Sequence, residues 1–289
     1  KGLMRYNYET NDFARLQFPD GRKPRIYSMV ESHNGDILLG TAGYGLYSVK
    51  DRNTQKGTDN LFTIRQERQY AERNSDVFFT HIYEDKHHYL WQSSHLSIFT
   101  RFIKKQGKVQ RKDFKSPCGA PVAFIQHRPQ AMLIVCMYGI VYYDYRTGRI
   151  ADAGYDFGGY QNNVTINNAT FDHEGNLYIS TSEHGVLMIR KGSNREDNNL
   201  WIGCYKKGLY LINQRHQAFN SWSFSAQNYI IGGSVSSIAQ GENGETWCTV
   251  QNCGVFCFDA SGKIIAHPQS PAGTGIIYKD RRGDYWISN

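Results

Sequence analysis

A hairpin unit recurs along the whole sequence, and this repeat limits the possible folds more than any single motif does. The clearest copy, NNLWIGCYKKGLYLIN from Asn198, reads as an apolar strand, a polar turn and an alternating strand. Weaker copies begin at Gly35, His88, Ala131, Gly175, Gly244 and Gly283. Internal repeats of one hairpin type are the signature of stacked or radially arranged sheets. The chain is therefore predicted to be all-β.

The spacing of the repeat predicts the number of sheets. The positions equivalent to one strand residue are Leu38, Trp91, Ile134, Tyr178, Trp201, Trp247 and Trp286. Successive intervals are 53, 43, 44, 23, 46 and 39 residues, and five of them are close to the ~40–50 residues of a four-stranded propeller blade. The short interval predicts either a half-built blade or, as we favour, a segment missing near residues 191–197. We predict a single seven-bladed β-propeller of four-stranded antiparallel blades over residues 1–289.

The two ends of the sequence complete each other. GDYWISN, from Gly283, stops where a hairpin should turn, and KGLMRYN, from Lys1, begins where one should resume. The last blade is therefore predicted to combine N- and C-terminal strands, which leaves no sheet edge at the seam. Because the chain opens in the middle of a repeat, we also expect it to be a fragment of a larger protein.

Strand and turn positions follow from the same alignment. The innermost strands are predicted at Ile26–Glu31, Val77–Glu84, Val122–Gln126, Thr165–Asp172, Val235–Gln240 and Gly275–Lys279. Asn34-Gly35 and Asn243-Gly244 predict two-residue turns with left-handed backbone. The four tryptophans of the repeat, Trp91, Trp201, Trp247 and Trp286, are predicted to fill the core between blades rather than to form a ligand platform.

Charge and hydropathy restrict the partners. The net charge of +7 suits an anionic partner, but no nucleic-acid-reading motif is present. Six basic residues lie within twelve positions and predict a solvated hairpin tip, with a glycan, lipid or nucleic-acid patch as the alternative: Lys104, Lys105, Lys108, Arg111, Lys112 and Lys115. No apolar run approaches the roughly 20 residues of a membrane-spanning helix. A membrane is thus expected only through segments outside this chain.

No cofactor or metal is predicted. The six cysteines fall at different repeat positions and are interpreted as small apolar strand residues. Two alternatives stay open: Cys248 and Cys257 facing each other across a hairpin, or both joining Cys253 as thiolate ligands. His87-His88, next to Asp85, predicts a solvated loop, because adjacent strand residues point to opposite faces and do not share one ion.

Catalytic motifs are absent from the sequence. It has no nucleophile elbow, no His-Glu-x-x-His and no phosphate-binding glycine loop followed by Lys and Ser or Thr. The chain is therefore predicted not to be an enzyme. Scattered Asp and Glu residues keep a glycan lyase or hydrolase open as an alternative.

Two segments, Asp172–Thr181 and Gly40–Tyr47, resemble the two-component-regulator propeller repeat, which reads roughly Asp, two residues, Gly-Asn-Leu-Trp-Ile-Gly-Thr, then Gly-Gly-Leu and an aromatic strand. The copy at Ala131 departs from it. The resemblance implies the periplasmic sensor region of a gut-bacterial hybrid two-component system, which recognises oligosaccharides and regulates polysaccharide utilisation. It also implies neighbouring domains in the same receptor and a kinase beyond a membrane helix.

A ligand is expected at the loops, because they vary in sequence while the flanking strands repeat. Tyr and His stack on sugar rings, whereas Lys, Arg, Asn and Gln bond hydroxyls or an acidic group. The candidate ligand-binding residues are Tyr44, Arg73, His95, Tyr138, Asn163, His184, Tyr205, Lys206, Gln251 and Asn252. The expected partner is an oligosaccharide, with an acidic one as an option. A protein-binding scaffold and a homodimer stay open.

Overall fold

The computed structural model describes residues 2–8, 10–19, 21–51, 62–70, 78–155, 165–171, 175–182, 186–189, 200–204, 208–213, 218–222, 235–241, 243–270 and 275–288. Side chains are described in these ranges except at residues 51, 127, 186–188 and 200–222. Throughout these ranges the regular structure is β-strand, with a single 3-10 turn at Arg68–Tyr70. The segment near 191–197, predicted to lack residues, lies outside the described part.

The first half of the chain contains strands β1 (Leu3–Asn7), β2 (Asp12–Leu16), β3 (Arg25–Glu31), β4 (Ile37–Ala42), β5 (Leu46–Asp51), β6 (Phe62–Gln66), β7 (His81–Glu84), β8 (Leu90–Ser93), β9 (Ile98–Lys105), β10 (Lys108–Lys115), β11 (Pro121–Arg128), β12 (Ala131–Cys136), β13 (Gly139–Asp144) and β14 (Arg149–Asp152). The second half contains β15 (Ile166–Phe171), β16 (Leu177–Thr181), β17 (Val186–Ile189), β18 (Leu200–Cys204), β19 (Gly208–Asn213), β20 (Ala218–Trp222), β21 (Val235–Gln240), β22 (Thr246–Val250), β23 (Gly254–Phe258), β24 (Ile264–Ala266), β25 (Ile277–Lys279) and β26 (Tyr285–Ser288).

These strands form antiparallel sheets of consecutive strands. The orders are β3-β4-β5-β6, β10-β9-β8-β7, β11-β12-β13-β14, β15-β16-β17, β18-β19-β20 and β21-β22-β23-β24, and one further sheet has the order β2-β1-β26-β25. The described residues thus contain five sheets of four strands and two of three. The strands predicted as innermost lie at the expected positions to within a few residues, and β21 matches its predicted bounds completely.

Backbone contacts divide the chain into two compact units. Unit 1 consists of Lys1–Phe78, Trp201–Ile212 and Phe219–Asn289, and unit 2 consists of Phe79–Leu200 and Asn213–Ala218. The sheets starting at β3, β21 and β1 lie in unit 1. Those starting at β7, β11 and β15 lie in unit 2.

The sheet in which the two ends of the chain meet has the predicted composition. Leu3 pairs with Ser288 and Arg5 with Trp286, so β1 and β26 are neighbours. A buried ion pair reinforces this pairing, with 2.9 Å between Arg5 Nη2 and Asp284 Oδ2. The prediction of one sheet built from N- and C-terminal strands is confirmed.

Three of the four repeated tryptophans are core residues, as predicted. Trp91, Trp247 and Trp286 are buried, and each packs in an apolar cluster within its own unit. Burying one large apolar side chain stabilises the fold by about 1.5–3 kcal/mol. The side chain of Trp201 lies outside the described residues.

The turns that follow the innermost strands correct a prediction. At Asn34-Gly35 the Ser32 amide donates to the Asp36 carbonyl, which leaves three loop residues, and Gly35 alone is left-handed. This is a three-residue loop that ends in a left-handed glycine, not the predicted two-residue turn. The hydrogen bond from Gly241 to Glu245 has the same spacing, and there Gly244 is left-handed. A tight turn with two left-handed residues occurs instead at Gln106-Gly107.

The cysteine alternative across one hairpin is wrong. Cys248 pairs in register with Phe256, and Cys257 pairs with Trp247, so the two thiols lie on opposite faces of the sheet. They belong to two different apolar clusters, as expected for small core residues. The basic segment forms the β9–β10 hairpin, and its lysines are exposed, as predicted for a solvated tip.

Candidate functional site

Each hairpin between an innermost strand and its neighbour ends in a turn, and a buried aspartate organises two of these turns. Asp280 Oδ1 accepts the amides of Arg282 and Asp284 at 3.0 and 2.9 Å, and Oδ2 accepts the Trp286 indole at 2.9 Å. One carboxylate therefore fixes both the turn and the core tryptophan.

Asp85 makes the same arrangement in unit 2 with one additional donor. Its Oδ1 accepts the amides of His87 and Tyr89 at 2.8 and 3.0 Å. Its Oδ2 accepts the Trp91 indole at 2.7 Å and the Tyr145 hydroxyl at 2.8 Å. Burial, and then the bond to Asp85, raise the pKa of Tyr145 above its ordinary value, so this hydroxyl stays protonated. Because the Asp85 carboxylate accepts four hydrogen bonds from its own hairpin and from Tyr145, its role is structural.

The opposite end of the hairpins, here called the loop end, is the candidate site. In unit 2 it contains His81 at the start of β7 and the exposed His95 in the β8–β9 turn. Burial, with a smaller effect of His95, lowers the pKa of His81 to about 4. His81 Nδ1 lies 3.3 Å from Ser93 Oγ. The imidazole is neutral at physiological pH, so it can both donate and accept a hydrogen bond.

The neighbouring sheet of unit 2 presents an aromatic ring at the same end. Met137 and Tyr138 form a two-residue turn between β12 and β13, and Tyr138 is 61% exposed. Beneath the ring lies Gly119, where a Cβ atom would stand 2.8 Å from Tyr138 Cδ2. The close approach of ring and backbone explains why a residue without a side chain is needed there.

Hydrogen bonds join the loop ends of the three sheets of unit 2. Ser93 Oγ donates to the Pro121 carbonyl at 3.0 Å, which links the first sheet to the second. The Ile166 amide donates to the Met137 carbonyl at 2.8 Å, which links the second sheet to the third. His95 and Tyr138 are therefore carried by sheets that are bonded to each other through backbone carbonyls.

The loop end of unit 1 contains a second aromatic position. The Arg22 guanidinium lies 5.2 Å from the centre of the Tyr44 ring, and Gln66 Nε2 donates to the Tyr44 carbonyl at 2.9 Å. Tyr44 is 37% exposed. Gln251 and Asn252 lie in the exposed β22–β23 turn, where Asn252 adopts a left-handed backbone with φ 63°.

The structure thus places five of the ten predicted ligand-binding residues. Tyr44, His95, Tyr138, Gln251 and Asn252 all lie in exposed turns at loop ends, and none is in the core. The other five lie outside the described residues: Arg73, Asn163, His184, Tyr205 and Lys206.

Sequence reasoning missed two residues, Arg22 and His81. Arg22 lies in the loop just before β3, and this position next to a predicted strand was the available signal. His81 was assigned to a strand interior because β7 was predicted to begin four residues earlier.

Unit 1 also contains two clefts. One has a volume of about 560 Å³ and is lined along β6 by Ile64, Arg65, Glu67 and Arg68, among others. The other, of about 590 Å³, lies between Asp12 and His267. Neither is lined by a predicted ligand-binding residue. Among the described residues no helix is both long and apolar enough to cross a membrane.

Comparison with known proteins identifies the fold. The extracellular domain of the putative hybrid two-component system BT4673 from B. thetaiotaomicron matches 96% of this chain with a TM-score of 0.70 and 13% identity. Catalytically inactive virginiamycin B lyase from Staphylococcus aureus matches 99% of the chain and 98% of its own length, with a TM-score of 0.65 and 12% identity. The WD40 β-propeller domain of Doa1 matches 92% of the chain and 93% of its own length, with a TM-score of 0.61 and 7% identity.

The chain spans 38% of the length of the BT4673 domain. No protein-family model matches the sequence, and no curated protein is similar to it. The structural likeness confirms, for the fold, the resemblance to two-component sensor propellers seen in the repeat. The chain has an all-β fold of antiparallel sheets similar to that of β-propellers.

Proposed function

We propose that this chain is the ligand-sensing module of a periplasmic two-component receptor, that it binds an oligosaccharide at the loop ends, and that binding regulates polysaccharide utilisation. The observation that carries the proposal is the contrast between buried tryptophans and the exposed ring of Tyr138. An exposed aromatic face beside polar groups is the usual means of holding a sugar ring. The likeness to an extracellular domain of a two-component system supports the sensing role.

In this proposal the sheets are seven blades, and each unit offers its own contacts at its loop ends. In unit 2, Tyr138 would stack on a sugar ring, and the neutral His81, with His95, would bond hydroxyl or carboxylate groups. In unit 1, Tyr44 would stack on a sugar ring and Arg22 would bond a hydroxyl or carboxylate group. Signalling further requires that the bound form favour one arrangement of neighbouring domains or subunits over another.

Calorimetry with a panel of neutral and acidic glycan oligomers tests the proposal. We expect heat with at least one oligomer, and a loss of affinity of about tenfold or more on Tyr138→Ala, because a stacking face is removed. Tyr8→Ala is the matched control, since Tyr8 is a half-exposed tyrosine whose hydroxyl bonds the Gly283 carbonyl at the opposite end of the hairpins. No heat with any oligomer, or equal losses from both variants, would contradict the proposal.

A glycan lyase is the second candidate. The likeness to virginiamycin B lyase shows that the fold also supports a catalytic protein. Incubating the same panel with the chain and separating the products distinguishes the two functions. A sensing module returns every oligomer intact, whereas a lyase shortens at least one of them.

A further inference from the structure

Two cysteines of unit 2 lie side by side without forming a disulfide. Cys118 is in the loop before β11, and Cys136 is the last residue of β12. The Ser116 hydroxyl donates to Cys136 Sγ at 3.2 Å and lies 3.8 Å from Cys118 Sγ. Both sulfur atoms therefore lie close to the Ser116 hydroxyl oxygen, although the two cysteines are 18 positions apart in sequence.

The backbone holds the two side chains in this arrangement. The Tyr138 amide donates to the Cys118 carbonyl and the Met137 amide to the Ala120 carbonyl, both at 3.0 Å. Gly139 pairs in register with Cys136, and a Cβ atom on it would lie 3.1 Å from Cys118 Cβ. A larger residue at Gly139 would displace Cys118, so the glycine keeps the two thiols adjacent.

The two thiols differ in acidity and access. The hydrogen bond from Cys136 lowers the pKa of Cys118 to about 7, and Cys118 is half-buried. The same hydrogen bond, followed by burial, raises the pKa of the fully buried Cys136 above its ordinary value. A more acidic, accessible thiol beside a buried one is the arrangement of a nucleophilic and a resolving cysteine.

We propose that Cys118 and Cys136 form a thiol–disulfide exchange site that accepts an external disulfide. The Cys118 thiolate attacks one sulfur atom of the external disulfide, forms a mixed disulfide and releases one thiolate. Cys136 then gives up its proton to solvent and attacks Cys118 Sγ, which forms the Cys118–Cys136 bond and releases the second thiolate. The cysteine pair loses two electrons and two protons, and the external disulfide takes up both electrons.

The new bond has a defined structural consequence. It ties the loop that carries Gly119 to the end of β12, directly below the Tyr138 ring. Other described cysteines lack such a partner: Cys248 and Cys257 are buried on opposite faces of their sheet, and half-buried Cys253 lies alone in a turn. Cys253 is therefore the internal control.

The test uses the whole chain treated with oxidised glutathione, followed by peptide mapping under non-reducing conditions. In the chain without substitutions, we expect a disulfide-linked peptide pair that joins Cys118 to Cys136. This measurement requires no variant. Cys136→Ser should accumulate glutathione on Cys118, because the resolving thiol is gone, and Cys118→Ser should leave Cys136 free. A linked peptide joining other cysteines, or Cys118 and Cys136 both remaining free thiols, would overturn the proposal.

Alkylation gives a second measurement. With iodoacetamide at pH 7, Cys118 should react about five- to tenfold faster than Cys253, because a thiol with a lowered pKa has a larger thiolate fraction. Equal rates at the two cysteines would contradict the nucleophilic role of Cys118. Peptide mapping of the alkylated protein identifies both sites.

Discussion

The two ends of each hairpin differ in how strictly their geometry is kept. At the end that Asp85 and Asp280 organise, here called the constant end, hydrogen bonds enclose the same three-residue loop at four of the five described turns between the first and second strands of a sheet, which start at Ser32, Asp85, Gly241 and Asp280. The fifth turn, between Arg128 and Ala131, has two residues. At the loop end the connections between paired strands range from two residues at Met137-Tyr138 to five between Ser93 and Phe99. Constant turns with buried donors serve stability, and variable exposed turns are free to serve recognition.

A second difference lies within the constant end itself. Gly241 stands where the other turn has Asp280, and the Trp247 indole nitrogen is buried without a hydrogen-bond partner among the described residues. The Glu245 carboxylate lies over Gly241 and accepts the Asn243 amide, one of the bonds that an aspartate would make. The three-residue turn can therefore form without a carboxylate that accepts a hydrogen bond from the indole.

The largest effect should follow the loss of the most connected carboxylate. Asp85→Ala leaves the amides of His87 and Tyr89, the Trp91 indole and the Tyr145 hydroxyl without their acceptor. We expect a decrease of about 4 kcal/mol in the free energy of unfolding, measured by urea denaturation.

The matched control for that change is Asp259→Ala. Asp259 also accepts two turn amides, from Ser261 and Lys263, but it faces solvent and binds no indole. A clearly smaller loss is expected. Equal losses from the two variants would show that the buried indole bond adds nothing to the constant end.

The next largest effect concerns pH and the loop end. The pKa of His81 is lowered to about 4, whereas an unfolded histidine titrates near 6.5. Between these values the unfolded chain binds the proton and the folded chain does not, so stability falls as pH decreases from about 6.5 to about 4. The full loss is up to about 3 kcal/mol.

Urea denaturation at several pH values between 4 and 7 checks the direction of this effect. His81→Asn removes the titrating group, so the variant should lose less stability over this range than the unmodified chain. If both proteins lose stability in parallel, His81 is not the group responsible.

An effect of intermediate size is expected from a comparison of the turns that precede Trp286 and Trp247. Trp286→Phe leaves Asp280 Oδ2 buried without its donor, whereas Trp247→Phe breaks no hydrogen bond. Both variants lose similar packing, so the difference isolates the indole bond. We expect Trp286→Phe to cost about 2 kcal/mol more than Trp247→Phe in thermal or urea unfolding. Similar costs would mean that the bond to Asp280 is energetically neutral.

The strands and core residues of the constant end were predictable from sequence, whereas its turn types and the loop end were predictable only in part. The repeat positions of Trp91 and Trp286 were read correctly as core because the same strand pattern recurs around them. The turn type at Asn34-Gly35 was wrong, since that dipeptide is compatible with more than one loop length and the register of both strands decides between them. Arg22 and Tyr44 are in contact although they are 22 positions apart in sequence, and a local sequence pattern does not predict a contact between residues so far apart.

The smallest expected effect tests whether loop-end residues contribute to stability at all. Tyr138→Ala should change the free energy of unfolding by less than about 0.5 kcal/mol, because the ring is mostly exposed. Tyr143→Ala, in the same hairpin but fully buried, should cost about 3–5 kcal/mol by the cavity it leaves. A large loss for Tyr138→Ala would make its contact with Gly119 a structural one, and the exposed ring would no longer argue for recognition. A negligible loss, together with reduced oligosaccharide affinity, would separate recognition from stability at the two ends of one hairpin.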